Sequence, residues 1–161
     1  MMKLRNFLSA NILAVSVMCV CLPLAYAETP APAADSAKPA ATEEQAHRLV
    51  IQVNQREEDI QDHILSNIVN LQKYYGMDNI EMEVVAYGPG IWLVTEKSAF
   101  IKRVESLMMQ NVTFTACGNT LDTIEARDGK RPALLDGVEE TAAGIARIID
   151  RQEQGWSYLS P

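Results

Sequence analysis

Cys117 is the residue in this chain best placed to do chemistry. It follows Val112-Thr113-Phe114-Thr115-Ala116, a run that favours a strand, and precedes Gly118-Asn119-Thr120, which can turn the chain into a helix start. A thiol at a helix N-terminus faces unpaired backbone N–H groups and the positive end of the helix dipole. Both favour the thiolate, which is the reactive form. Asn119 and the N–H groups of Gly118 and Asn119 would stabilise the anion, and Gly118 leaves room for an approaching reaction partner. The chemistry this permits is nucleophilic attack by the thiolate. Two alternatives stand beside it. A free cysteine is commonly a small buried apolar residue, and in an oxidising compartment it can link two chains.

Other chemistry-bearing residues are less persuasive. His47 and His63 have no recognisable partner, and no set of His, Cys and carboxylates has metal-ligand spacing. Glu57-Glu58-Asp59 reads as a dipole-favoured first helical turn, and Met82, Met108 and Met109 read as core filler. Neither a P-loop nor a dinucleotide fingerprint occurs, so no metal and no cofactor is expected. Tyr87-Gly88-Pro89-Gly90 is a turn that ends a strand. It could also wall a pocket beside Cys117 or offer backbone N–H groups to an anion.

The elements that must position these residues alternate. Leu49–Asn54 is a short apolar run expected to form a buried strand. A helix from about Glu57 to Tyr75 follows, with Ile60, Ile64, Ile68, Leu71 and Tyr75 on one face and Gly76 at its end. Ile80, Met82, Val84 and Ala86 mark a second strand. Ser98 caps a helix that buries Phe100, Ile101, Val104, Leu107 and Met108 and closes at Asn111. After the strand Val112–Ala116 come a short helix, Thr120–Arg127, and a weak strand, Val138–Ala142. A helix with Ile145, Ile148 and Ile149 inward then leads to an edge strand over Trp156–Leu159. This order predicts a three-layer, doubly wound α/β fold with a mainly parallel five-stranded sheet and helices on both faces. In such sheets ligands gather at the carboxyl ends of the strands. The loop after Asn54, the Gly88-Pro89-Gly90 turn and Cys117-Gly118-Asn119 would meet there.

Residues 1–27 have the form of a cleavable secretory signal. Lys3 and Arg5 precede an apolar run from Ile12 to Leu24, and Ala25-Tyr26-Ala27 supplies the small-x-small cleavage site. Cys19 and Cys21 lie inside this segment, so the exported protein would keep Cys117 alone. Residues 28–46 are rich in alanine and proline and read as a flexible spacer. The remaining 115 residues, 47–161, suffice for one domain with one core. Removing Lys3 and Arg5 from the 14 basic residues leaves 12 against 21 acidic ones, a net charge of −9. Such a surface repels phosphate backbones and anionic lipid, so neither nucleic acid nor, once the signal is cleaved, a membrane is an expected partner.

Three segments stand out together: Val84-Val85-Ala86-Tyr87-Gly88-Pro89-Gly90, Phe114-Thr115-Ala116-Cys117-Gly118-Asn119-Thr120 and Gln152-Glu153-Gln154-Gly155-Trp156-Ser157-Tyr158. With them the chain resembles the DsrE/DsrF-like family of small α/β proteins associated with sulfur transfer. The resemblance spans essentially all of residues 47–161 and is strongest to the exported branch of the family. It implies a doubly wound three-layer fold and a homo-oligomer, a trimer or hexamer. It also implies a persulfide carried on the cysteine that Cys117 matches, with a sulfur-donor or acceptor protein as partner. Gly118, Asn119, Thr120, Tyr87, Gly88, Pro89, Gly90 and Asn54 would form the surrounding pocket. The expected setting is the periplasm. The competing expectation is a non-catalytic homo-oligomeric binding or assembly module with a structural cysteine.

Overall fold

The computed structural model describes residues His47–Pro161; the expected signal and spacer lie outside them. The elements, in chain order, are β1 (His47–Val53), α1 (Glu58–Tyr75), β2 (Ile80–Ala86), a 3-10 helix (Gly88–Val94), α2 (Ile101–Met108), β3 (Val112–Cys117), α3 (Gly118–Asp128), β4 (Glu139–Thr141), α4 (Gly144–Glu153) and β5 (Ser157–Leu159). Every strand pairing is parallel, in the order β4-β3-β2-β1-β5. Among the described residues, no helix is long and apolar enough to cross a membrane.

Strand periodicity assigns the two faces. Ile51, Val53, Met82, Val84, Ala86, Phe114 and Ala116 point to one side, where α1 contributes Ile64, Leu65 and Ile68, α2 contributes Val104 and Leu107, and α3 contributes Leu121 and Ile124. Val50 and Val85 point to the other side and meet Ile148 of α4, Trp156 and Tyr87. This asymmetry follows from the strand order. From β1 to β4 the chain steps in one direction, and right-handed crossovers place every connecting helix on the same face. Reaching β5 requires the opposite direction, so α4 alone covers the second face.

The helices differ from expectation at their ends. The Gly88-Pro89-Gly90 turn continues as a 3-10 helix to Val94. The second helix begins at Ile101, because the Ser98 hydroxyl accepts from the Phe100 N–H and holds a turn ahead of the helix. The third begins at Gly118, directly after the strand. Helix α4 turns only Ile148 fully inward; Ile145 and Ile149 are 57% and 49% exposed. The reason is that the strip of sheet beneath a lone helix is narrow, and Arg147 and Arg151 occupy positions on it. His47 opens β1, its N–H donating to the Asn79 carbonyl at 2.8 Å and its ring lying 4.0 Å from that of Tyr75. His63 is exposed on α1. Gly76 ends α1 with φ of 89° and donates to the Gln72 carbonyl, a conformation that glycine adopts without strain.

Candidate functional site

Adjacent strands β3 and β4 send their chains to opposite faces, β3 into α3 and β4 into α4. Connections that diverge in this way mark the place, outside the carboxyl ends of the strands, where open α/β sheets commonly bind ligands. Cys117 sits there. It ends β3, caps α3 and pairs in register with Thr141 of β4. Ala142 and Ala143 then carry the chain to Gly144, the first residue of α4. The Gly144 N–H donates to Cys117 Sγ at 3.2 Å, and the Asn119 N–H donates to the Ala142 carbonyl at 3.1 Å. Two helix N-termini therefore converge on one sulfur, and both favour negative charge.

Cys117 is 6% exposed. Burial pushes its thiol up, but more than offsetting this are the Gly144 N–H, the Thr120 hydroxyl and the N–H groups of Thr120 and Asn119. The net shift is downward from the ordinary thiol value. Gly144 has to lack a side chain. A Cβ there would stand 3.1 Å from the Cys117 Cβ and 3.3 Å from both the Tyr87 Cβ and the Val85 Cγ1. Sequence reasoning missed Gly144; its only signal is a glycine opening the helix that follows the partner strand of β3.

The eight expected pocket residues divide into groups. Asn119 and Thr120 flank the sulfur and also line an open cavity of about 530 Å³ on the α3 side, together with Gly88 and Pro89. Thr120 bridges these features, its Oγ1 accepting the Gly88 N–H at 2.9 Å. Tyr87 lies instead on the α4 side, beside Gly144 and the Val50–Val85–Ile148 cluster. The Asn54 amide reaches the Tyr87 hydroxyl at 3.5 Å, so Asn54 is tied to Tyr87 and not to the cavity. Gly90 is buried where the 3-10 helix crosses the end of β1. A Cβ there would overlap the Val53 carbonyl and approach the Asn54 nitrogen to 2.8 Å. Gly118 opens no approach route, since a Cβ at that position would meet Glu140 Oε1 at 3.0 Å and the Thr141 carbonyl at 3.1 Å. Its missing side chain serves the fit of β3 against β4.

Arg56, Trp92, Thr123, Ile124 and Arg127 complete the cavity wall. None was anticipated from sequence, because they come from the β1–α1 loop, the 3-10 helix and the far end of α3. Among the described residues no group of three or more His, Cys, Asp or Glu is arranged to hold a metal ion.

Glu83 was also missed. It lies in the middle of the sheet with no exposure, although the alternation of β2 marks it as polar. The Thr115 hydroxyl donates to its Oε1 at 2.7 Å, Arg147 Nε donates to the same oxygen at 2.8 Å, and Arg151 Nε donates to Oε2. Burial raises its pKa, but these donors outweigh it, and the carboxyl is held below the usual carboxylate value. Both arginines belong to α4. The network thus clamps to the sheet the same helix whose first N–H points at Cys117.

No protein-family model matches the chain, and none of the curated proteins compared with it does. Among solved structures, the protein of unknown function MTH1491 from Methanobacterium thermoautotrophicum is 32% identical, with a TM-score of 0.65. The alignment covers 71% of this chain and 99% of that one. The chain belongs to the same family as this archaeal protein. A conserved protein of unknown function from Bacteroides thetaiotaomicron, BT1422, shares the fold, at 14% identity and a TM-score of 0.52. That alignment covers 75% of this chain and all of the other, 100%.

Proposed function

We propose that this is a periplasmic, DsrE/DsrF-like sulfur carrier in which Cys117 holds sulfane sulfur as a persulfide. The observation that carries the reading is the Gly144 N–H aimed at the sulfur of Cys117, the residue at the N-cap position of α3. The Gly144 N–H, with the Thr120 and Asn119 groups beside the sulfur, lowers the thiol pKa from its ordinary value, a shift towards the thiolate. In the first step the Cys117 thiolate attacks the sulfane sulfur of a polysulfide or of a donor persulfide. A new S–S bond forms, the donor's S–S bond breaks, and its electron pair leaves with the donor thiolate. In the second step an acceptor thiolate attacks the outer sulfur of the Cys117 persulfide and regenerates the Cys117 thiolate. Alkylation of the folded protein tests the reactive state. Appreciable reaction at neutral pH supports it, whereas slow reaction that rises only under alkaline conditions counts against it.

The 6% exposure of Cys117 favours a second reading, a homo-oligomeric assembly module with a structural cysteine. Ile145, Ile149 and Tyr158 give the α4 side an exposed apolar character that suits a contact between copies. Sedimentation of the protein and of an Ile145→Glu/Ile149→Glu variant distinguishes the cases. An oligomer that the variant dissolves supports the contact, and a wild-type monomer removes it.

A further inference from the structure

In a chain of net charge −7, Arg56, Lys97 and Arg127 gather near the Trp92 ring, while Glu58, Glu96 and Asp128 line the neighbouring hollows that Trp92 also borders. Arg56 lies 5.2 Å and Lys97 5.4 Å from the centre of the Trp92 ring. Arg127 borders the same cavity as Arg56 and Trp92, and no carboxylate lines that cavity. Arg127 is partly neutralised by Asp128, which its Nε and Nη2 bridge at 2.7 and 2.8 Å on an exposed surface. Arg56 makes no ion pair among the described residues.

The rest of the wall is mixed. Pro89, Trp92 and Ile124 offer apolar surface, and Asn119 offers an amide. A volume of about 530 Å³ lies within the range that small-molecule sites occupy. We propose that this cavity binds a small organic anion, its planar or apolar body against Trp92, Pro89 and Ile124 and its anionic group held by Arg56 and Arg127. A guanidinium stacked on an indole is pre-positioned, so less side-chain freedom is lost when it engages a carboxylate or sulfonate. A neutral ligand of the same shape leaves the Arg56 guanidinium without an anionic partner and Arg127 with Asp128 alone.

The inference does not rest on the persulfide reading, since neither the cavity wall nor its charge includes Cys117. The two meet at Asn119 and Thr120, and neither is the charge on which binding depends, so either can fail without the other.

Naphthalenesulfonate and naphthalenesulfonamide, which share a body and differ in charge, serve as probes, with binding followed by NMR of the tryptophan indole N–H groups. Trp92 reports the cavity, and Trp156, buried on the opposite face, is the internal control. The expected result is a saturable shift at Trp92 with sulfonate, a still Trp156, and roughly tenfold weaker binding of the sulfonamide. Arg56→Gln with Arg127→Gln should weaken sulfonate binding by at least that factor. Both arginines are at the surface, so the double variant should fold. An absent or non-saturable Trp92 shift, equal binding of the two probes, or undiminished binding to the double variant would overturn the proposal.

Discussion

Replacing Glu83 by glutamine removes a charge from a position that water does not reach. Three donors converge on the carboxylate, and two of them are guanidinium groups. Glutamine keeps one acceptor oxygen and turns an N–H₂ group towards the remaining donor. Two charge-assisted bonds at about 1.5–3 kcal/mol each set an upper bound for the loss. The Arg147 and Arg151 side chains remain 30% and 20% exposed, so water recovers part of it. The expected cost is about 2–4 kcal/mol, below that of breaking a dry ion pair and above that of an exposed one. Urea unfolding near neutral pH would show the midpoint falling by roughly 1–2 M. The pH dependence has a definite sign. Because the folded Glu83 pKa is depressed, its contribution is present above the unfolded glutamate value of about 4.3 and is lost as pH falls through the folded value. The gap between wild type and variant should therefore be constant from neutral pH to about pH 5 and shrink at lower pH. A gap under about 0.5 kcal/mol at neutral pH, or one that widens on acidification, would refute the reasoning.

Two further substitutions test the geometry around the thiol. Gly144→Ala forces a Cβ against Cys117, Tyr87 and Val85 and displaces the N–H that faces sulfur. The pH profile of Cys117 alkylation should move upward, slowing reaction at neutral pH by up to roughly tenfold; an unchanged profile would remove Gly144 from the account. Gly90→Ala drives a Cβ into the Val53 carbonyl and should cost about 1–3 kcal/mol, visible as a lowered Tm in thermal unfolding. A Tm within about 2 °C of wild type would show that the 3-10 helix shifts freely away from β1.

The sheet was legible because its strands are short apolar runs separated by helices with a clear apolar stripe. The five strands lie within a few residues of their expected places, including β4, whose glutamates mark it as an exposed edge. The one-sided helix arrangement was not legible, because strand order is a property of the whole chain. Only that order leaves α4 alone on its face, with Ile145 and Ile149 exposed. Cys117 could be placed at the carboxyl edge from local pattern alone, being the junction of a β-rich run with a Gly-Asn-Thr start. Its donor at Gly144 could not, because the two are brought together by the β3–β4 register across 27 residues of sequence. Glu83 misled for a related reason. Alternation marks a polar side chain as solvent-facing, and only the tertiary approach of Arg147 and Arg151 makes its burial tolerable. Tyr87 and Gly88 are neighbours in sequence, yet Tyr87 packs on the α4 side while Gly88, at the start of the 3-10 helix, lines the cavity on the α3 side.

The most direct test of the central claim is the intact mass of the purified protein after exposure to polysulfide, measured beside Cys117→Ser. A persulfide carrier gains sulfur on the wild type, loses it on reduction and leaves the variant unmodified. No gain under conditions that modify accessible thiols, or an equal gain on the variant, would contradict the account and leave Cys117 as a packing residue between β3 and α4.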